Sequence, residues 1–159
     1  ILREPKALLT AASKMPGLDG QKMSKSYNNT IGVTEPAESV AEKVMAMVTD
    51  PARVRRQDPG NPDHCNLFPF HVLFSPPDEV AVVDRECRTA ARGCVDCKKH
   101  LIANMNPALE PIRQRRASLL AAKGDVVRDV LHAGDERARA VAEETMERVR
   151  EAVRLSPEP

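Results

Sequence analysis

The sequence predicts a mainly α-helical protein, and three observations favour that fold class. Apolar residues recur at helical spacing in several segments from Thr34 onward. Before residue 34 the chain shows no alternation of strand and helix patterns. Thirteen prolines punctuate the sequence and divide it into short elements. The length of 159 residues fits one ordinary domain with a moderate core.

The first predicted helix begins at Thr34–Pro36, with acidic Glu38 in its first turn. Asp50–Pro51 ends it. One face of this helix gathers the apolar residues, which are Val40, Val44, Met47 and Val48. Upstream, the segment "KALLT" is compatible with a short strand. Downstream, the proline-rich connection "PARVRRQDPGNPDHC" leads into a short apolar segment, "NLFPFHVLFS".

The second half of the chain predicts four more helices. Ser75 caps the first of them in this prediction, followed by early prolines and an acidic residue. The apolar face of that helix carries Val80, Val83 and Cys87. A long helical stretch then runs from about Cys94 to Lys123, and its prolines, Pro107 and Pro111, are expected to kink or break it.

The C-terminal region predicts a short helix followed by a separate last helix. Gly134 is expected to close the short helix, and Asp135 to cap the last one. An apolar stripe at helical period marks the last helix, comprising Ala138, Val141, Ala142, Thr145, Met146, Val149 and Val153.

Composition narrows the classes of function. The net charge is only +1, so a nucleic-acid site must be a local cluster of basic residues. The longest apolar runs are too short for a membrane span. The chain opens without Met and without a basic and apolar leader. It is therefore expected to be the middle of a longer, cytoplasmic protein.

The stretch "PGLDGQKMSKSYNNT" differs from everything around it. It has neither strand nor helix period, and Gly17 and Gly20 give its backbone unusual freedom. Lys22 and Lys25 lie three residues apart, with hydroxyl groups between and after them. Ammonium groups, hydroxyls and backbone N–H groups together suit a polyphosphate. A flexible solvated loop is the plain alternative.

Four cysteines, at positions 65, 87, 94 and 97, are separated by 21, six and two residues. Four thiols with one Cys-x-x-Cys pair indicate a metal site in a cytosolic chain more than they indicate disulfides. Cys94 and Cys97 open a predicted helix, whose N–H groups are expected to favour their thiolates. A set of four thiolates admits structural zinc or a 4Fe–4S cluster.

Three basic clusters interrupt an otherwise balanced charge pattern. Each alone is more often a solvated surface, but together they are candidates for phosphate contacts with RNA. They comprise Arg53, Arg55 and Arg56; Lys98 and Lys99; and Arg113, Arg115 and Arg116.

The word Lys22-Met23-Ser24-Lys25-Ser26 matches the signature loop of class I aminoacyl-tRNA synthetases. The segments "MVTDPARVRRQDPGNPDHCNLF", "RECRTAARGCVDCKKHL" and "RARAVAEETMERVREAVRL" resemble the bacterial tryptophanyl-tRNA synthetases within that class, over nearly the whole chain. The tyrosyl enzymes are near relatives, but they usually depart from this loop and lack the cysteine-rich segment.

The resemblance implies an activity. Tryptophan and ATP, with Mg²⁺, would give tryptophanyl-adenylate and pyrophosphate, and the aminoacyl group would then pass to tRNA(Trp). The residues implied to bind ATP are Lys22, Met23, Ser24, Lys25 and Ser26. Lys22 and Lys25 would stabilise the leaving pyrophosphate, and the two serines would bind phosphate or hold the loop shape.

The resemblance also implies that part of the enzyme is missing from this chain. The family's catalytic domain is of Rossmann type and carries a histidine signature, which none of the four histidines here supplies. Residues 1–33 would form the last edge of that domain, 34–155 a helical tRNA (anticodon)-binding domain, and 156–159 a disordered tail. The chain alone is expected to be inactive, and the full-length enzyme to be a homodimer that binds tryptophan through the absent half.

Some bacterial members of this family are similar at the cysteines, with a first gap one residue longer, and carry a 4Fe–4S cluster. The resemblance therefore favours that cluster, with zinc as the runner-up. Two other classes of function stay open. One is a non-catalytic RNA-binding module stapled by a four-cysteine metal centre, and the other is a redox-sensing helical protein.

Overall fold

A computed structural model of the chain describes residues 2–10, 12–122 and 124–154. It divides into two compact units. The central unit is Leu9–Ala117, and the terminal unit combines Ile1–Leu8 with Ser118–Pro159. The tail predicted at 156–159 lies outside the described residues.

The described residues form five α-helices and no β-strand, which confirms the mainly helical prediction. Residues 2–10 are irregular where they are described, so the strand suggested for "KALLT" is wrong. The sole β feature in the described ranges is an isolated bridge between Pro16 and Lys22. The helices are α1 (Ala37–Ala46), α2 (Phe68–Phe74), α3 (Pro77–Arg88), α4 (Cys94–Ala121) and α5 (Val126–Ala152).

The central unit is built on one cluster of buried apolar side chains. α1 contributes Val40 and Val44, and α4 contributes Leu101, Met105 and Leu109, all at most 3% exposed. Their spacing of four residues places them on one face of each helix. The cluster also includes Ile31, Met47, Leu67 and Phe70 from the intervening segments.

The proline-rich connection after α1 is organised by a buried carboxylate. Asp50 is 6% exposed, and its Oδ1 and Oδ2 accept hydrogen bonds from the backbone N–H groups of Ala52 and Asn61, at 2.9 and 2.7 Å. Together the two hydrogen bonds attach the start and the middle of the connection to one side chain. Backbone groups of an irregular segment near a core need such partners, because their burial without them is costly.

Several predicted helix boundaries differ from the structure. α1 ends at Ala46, before the predicted end at Asp50–Pro51, so Val48 lies outside the helix and is 47% exposed.

The start of α3 and the prolines of α4 also differ from the prediction. Ser75 does not cap α3, whose first residue follows Pro76 without a side-chain cap. Its hydroxyl instead contacts His71 Nδ1 at 3.0 Å, because Ser75 ends α2 and lies four residues after that histidine. The prolines Pro107 and Pro111 both lie inside one uninterrupted α4. The buried leucines and methionine before and after Pro107 keep this helix packed, and that packing outweighs the loss of backbone N–H groups.

The terminal unit contains a single long helix where two were predicted. α5 continues through Gly134 and Asp135, and Asp125 is the residue that caps it, accepting from the Arg128 N–H at 3.0 Å. A glycine inside a helix costs about 1 kcal/mol relative to alanine, which is too little to stop 27 residues of otherwise good helix formers. The predicted apolar stripe is helical but exposed, with Val141 65% and Met146 44% accessible.

None of the helices in the described ranges is both long enough and apolar enough to cross a membrane.

Candidate functional site

The segment that carries the two lysines folds as a tight turn. Pro16 and Lys22 bridge its base, and the Gly17 N–H donates to the Gln21 carbonyl at 2.6 Å. Gly20 takes a φ of +86°, a conformation that favours glycine. The glycines of "PGLDG" thus permit a turn that would be strained with other residues.

A short 3₁₀ turn, Lys25–Tyr27, follows. The Ser24 hydroxyl caps it by accepting from the Ser26 N–H at 3.3 Å. Asn28 ends it with a φ of +52°. Of the two roles implied for Ser24, the structure contains the one in which the hydroxyl holds the shape of the loop.

Lys22 and Lys25 are both exposed on this turn, and neither forms an ion pair with any described residue. Their ammonium groups are therefore available to an anion. The hydrogen-bonded backbone between them and the solvated side chains at each end make a site that suits successive phosphate groups.

The turn contains one buried polar residue that the sequence patterns did not single out. Asn29 is 3% exposed. Its Oδ1 accepts from the Ser24 N–H at 2.8 Å, and its Nδ2 donates to Asp19 Oδ1 at 2.7 Å and to the Lys22 carbonyl at 3.3 Å. The pair Asn28–Asn29 after the serines could have indicated this residue in the sequence, because Asn often closes such turns.

The four cysteines come together in the central unit. Cys65 follows the proline-rich connection, Cys87 lies in the last turn of α3, and Cys94 and Cys97 occupy the first turn of α4. All four line one small cavity of about 20 Å³, which is almost entirely apolar. They are free thiols, each partly buried.

Two features of the cavity suit a thiolate-bound group. Arg53 also lines it, and the buried Nε of Arg53 has no hydrogen-bond partner among the described residues. Burial raises the pKa of Cys65, but the backbone N–H groups of Leu67 and Phe68 act in the opposite direction and lower it. However, no group of three or more His, Cys, Asp or Glu residues in the described ranges is arranged to hold a metal ion. The predicted metal centre is therefore not confirmed.

Burial raises the pKa of three of the thiols. It raises the pKa of Cys65 and Cys87, and it raises the pKa of Cys97 to about 12, with the neighbouring cysteines adding to the effect. The expectation that the helix N-terminus favours the thiolate is wrong for Cys97. The desolvation of the Cys97 sulfur against the core exceeds the stabilisation of its thiolate by Arg92.

A chain of hydrogen bonds leads from Cys97 to the protein surface. Burial and the nearby His100 lower the pKa of His71 to about 4, so the ring is neutral. The Ser75 hydroxyl accepts from Asn104 Nδ2 at 3.0 Å, which leaves its own proton for His71 Nδ1. This network assigns the ring proton to Nε2, which lies 3.3 Å from the Cys97 sulfur.

Beside the cysteines lies a larger and more polar cavity of about 360 Å³. Arg53, Arg55 and Arg56 line it together with the N-terminus of α4. Arg53 is held in place, since its Nη2 donates to the carbonyls of Arg56 and Arg92 at 2.7 and 2.9 Å. Arg55 and Arg56 are exposed. The structure thus brings the first predicted basic cluster to a concave surface.

The other predicted basic residues have different surroundings. Lys98 donates to the Met45 carbonyl at 2.8 Å, whereas Lys99 is exposed. Arg113 is half-buried, donating to the Glu35 carbonyl at 2.6 Å and to Asn106 Oδ1 at 2.8 Å. Its guanidinium joins α4 to the segment before α1. Arg115 and Arg116 lie on the exposed side of α4.

Comparison with known proteins gives a consistent family. The sequence model of the family described as class I tRNA synthetases (W and Y) matches residues 1–110. The tryptophan–tRNA ligase of Deinococcus radiodurans is 52% identical over 152 residues, which is 94% of this chain and 46% of that enzyme. The ligase of Aquifex aeolicus is 44% identical over 156 residues, or 98% of this chain and 39% of that enzyme.

Solved structures agree with these sequences. The tryptophanyl-tRNA synthetase of Campylobacter jejuni, complexed with ADP and tryptophan, superposes with a TM-score of 0.73 at 27% identity. The match covers 94% of this chain and 46% of that one. The chain therefore spans less than half the length of the curated relatives described above.

The contact between Gly60 and Cys87 generates a stability prediction. A Cβ on Gly60 would lie 2.6 Å from the Cys87 sulfur. We expect Gly60→Ala to lower the free energy of unfolding by about 1–3 kcal/mol, the usual effect of overpacking, and to speed alkylation of Cys87. Gly134→Ala is the matched control, because nothing lies within 4 Å of its added Cβ. It should stabilise α5 by about 0.5–1 kcal/mol. Urea denaturation and thiol mapping of both variants check this, and equal behaviour would contradict it.

Proposed function

This chain belongs to the class I tRNA synthetases of the tryptophan and tyrosine group, and from that membership we propose that it is part of a tryptophan–tRNA ligase. The whole enzyme would activate tryptophan with ATP and Mg²⁺ and transfer it to tRNA(Trp). This chain would correspond to the C-terminal portion and would supply the loop for the ATP phosphates and the tRNA-binding domain. The observation that carries the proposal is the turn on which Lys22 and Lys25 are exposed.

The choice of tryptophan over tyrosine rests on the relatives. Those at 52% and 44% identity are both tryptophan–tRNA ligases, and the match to each extends over at least 94% of this chain. The Campylobacter enzyme binds ADP and tryptophan. By similarity we assign the same two ligand classes to the complete protein that contains this chain, which we expect to be a cytoplasmic homodimer.

The chemical role of the loop follows from charge development. When tryptophan carboxylate attacks the α-phosphorus of ATP, the bond to the β-phosphate oxygen breaks and negative charge builds up on pyrophosphate. Lys22 and Lys25 would bind this leaving group, and the hydrogen-bonded backbone between them would keep the lysines correctly spaced. Interactions that strengthen as charge develops accelerate the reaction itself.

The tRNA-binding surface is assigned to the arginine-lined cavity beside α4. Arg55 and Arg56 are exposed there, and Arg53 holds the surrounding backbone. A concave basic surface next to irregular backbone suits the phosphates of an unpaired RNA segment. Lys99, Arg115 and Arg116 would extend the basic surface along α4. Arg113 has intramolecular partners and is better explained as a structural residue.

The cysteines are assigned to one 4Fe–4S cluster held by Cys65, Cys87, Cys94 and Cys97, with zinc as the alternative. Their shared cavity and the unpartnered Arg53 Nε support a thiolate-bound group. A single zinc would need four sulfurs about 3.8 Å apart, from Zn–S bonds of about 2.3 Å. The described residues contain no preformed metal group, so the choice of the cluster over zinc rests on the family resemblance. The cluster would supply a covalent tie between the proline-rich connection, α3 and α4, without a part in electron transfer.

A non-catalytic RNA-binding module is the second candidate. The two neighbouring cavities of cysteines and arginines favour it, because neither involves the lysine loop. Tryptophan-dependent exchange of pyrophosphate into ATP by the full-length protein separates the two. The ligase requires this exchange, and the module lacks it.

The loop assignment predicts that Lys25→Ala slows activation in the full-length enzyme. Loss of one charged contact to the leaving group should raise the barrier by about 3 kcal/mol, or roughly 10²-fold in turnover. Affinity for tryptophan should change little. Lys14→Ala, an equal charge change at an exposed position, should retain full turnover. Pyrophosphate exchange kinetics measure both, and a variant with normal turnover and a raised KM for tryptophan would rule the role out.

The arginine cavity predicts a loss of tRNA affinity in Arg55→Ala/Arg56→Ala. The logarithmic salt dependence of binding should decrease by about 2, one for each phosphate contact removed. Arg137→Ala/Arg139→Ala, which removes two exposed arginines from α5, is the charge-matched control. Filter binding at several salt concentrations gives the slopes. An unaltered slope in the Arg55 and Arg56 variant would show that these residues are only a solvated surface.

The cysteine assignment predicts about four iron and four sulfide per chain in anaerobically purified full-length protein. Cys65→Ser and Cys94→Ser should each abolish both, because one missing ligand opens the cluster. Elemental and sulfide analysis gives the result. A colourless protein with one tightly bound zinc would establish the alternative, and four freely alkylatable thiols would reject any metal centre.

A further inference from the structure

The residue that fixes the loop between its two lysines is Asn29, which lies outside the signature word. Its side chain is buried, and every partner of its amide belongs to the same turn. The Asn29 carbonyl also accepts from the Leu18 N–H at 3.0 Å. Asn29 therefore joins the two halves of the turn through four hydrogen bonds.

The bonds fall on the backbone that separates the lysines. Oδ1 of Asn29 takes the N–H of Ser24, and Nδ2 reaches the carbonyl of Lys22. Both backbone groups lie in the segment 22–25, which sets the distance and direction between the two lysines. Without Asn29 these groups would have no partner inside the turn, and water would have to replace it.

Asp19 fixes the orientation of the amide. Its Oδ1 accepts from Asn29 Nδ2 at 2.7 Å and from the Gln21 N–H at 3.1 Å. The bond from Asn29 is the main reason that the pKa of Asp19 is lowered, so its carboxylate is ionised at neutral pH. A carboxylate only accepts hydrogen bonds, which determines that the NH₂ end of Asn29 faces it and the oxygen faces Ser24.

Gly17 makes room for this pair. A Cβ at Gly17 would overlap the amide of Asn29. The lead-in "GLDG" and the residue that follows the serines are therefore parts of one arrangement. The three residues of this arrangement, Gly17, Asp19 and Asn29, lie on both sides of the lysines in the sequence.

Resting on the proposed function, we propose that Asn29, oriented by Asp19, is a positioning residue that holds Lys22 and Lys25 at the spacing needed for the pyrophosphate leaving group. It does not contact the phosphates. Its effect on activation would therefore be transmitted through the lysines, and would disappear when a lysine is absent.

The first test is kinetic, in the full-length enzyme. Asn29→Ala should reduce the turnover of pyrophosphate exchange at least tenfold and leave KM for tryptophan within twofold. In a Lys22→Ala background the same change should reduce turnover by less than threefold. Asn28→Gly, at the exposed neighbour that already has a positive φ, should behave as wild type. An undiminished effect in the Lys22→Ala background would overturn the proposal in favour of general destabilisation.

The second test exchanges the pair. Asn29→Asp alone places two carboxylates against each other and should be at least as slow as Asn29→Ala. Asp19→Asn combined with Asn29→Asp restores a donor facing an acceptor between the two side chains. The Lys22 carbonyl still lacks its donor, so the double variant should recover only part of the turnover lost in Asn29→Asp. No recovery would overturn the pairing.

The third test needs no activity. Amide hydrogen exchange at Ser24 should accelerate at least tenfold in Asn29→Ala and stay unchanged in Asn28→Gly. Unchanged protection of Ser24 would overturn the proposal directly. A wild-type protein without pyrophosphate exchange would instead overturn the proposed ligase, and the Ser24 result would still decide the role of Asn29 in the turn.

Discussion

The irregular segments of this protein depend on buried polar side chains that provide partners for backbone N–H groups. Asp50 and Asn29 play this part in the two segments proposed to act, the proline-rich connection and the lysine turn. Each of these two side chains is short and at most 6% exposed, and each forms hydrogen bonds with backbone groups on both sides of a bend. A buried backbone amide without a hydrogen-bond partner costs about 1–3 kcal/mol. Removing either side chain would therefore destabilise the observed conformation of its segment.

The same small core stands behind both segments. Met15, Leu18 and Met23 of the lysine turn pack against it, and so do Cys65 and Cys97. The core is limited to a few side chains from α1, α2, α4 and the segments between them, each contributing about 1.5–3 kcal/mol by burial. The lysine turn and the cysteine cavity are therefore attached to one scaffold. A packing defect in this core would therefore disturb both the lysine turn and the cysteine cavity.

Much of the helical part could be predicted because it follows from periodicity. Val40 and Val44 are buried as their spacing indicated, and α3 forms in the segment predicted for it, although it begins one residue later. Local signals failed where context outweighed them. Gly134 does not end a helix, and Ser75 bonds to a histidine four residues earlier in place of a helix N-terminus. Periodicity carries no information on such contacts.

The site was predictable in its residue types and less so in their partners. The signature sequence 22–26 indicated the two lysines. The Cys-x-x-Cys pair indicated the thiols, which share a cavity in the structure. The contribution of Asn29 could not be read from spacing, because it depends on which amide faces Asp19 once the turn has closed. Likewise, a sequence shows that arginines are clustered, but it does not show which of them bind carbonyls of the same chain.

That distinction decides how the basic residues can act on RNA. Arg53 donates to two carbonyls, which are neutral, so its charge is fixed in position without being cancelled by a carboxylate. It would add to the positive potential of the cavity over a distance of about 8 Å at physiological salt while its Nη2 group holds the backbone. Removing it would disturb both field and shape. Arg55 and Arg56 are exposed on the same cavity, so a change there isolates the electrostatic contribution from the structural one.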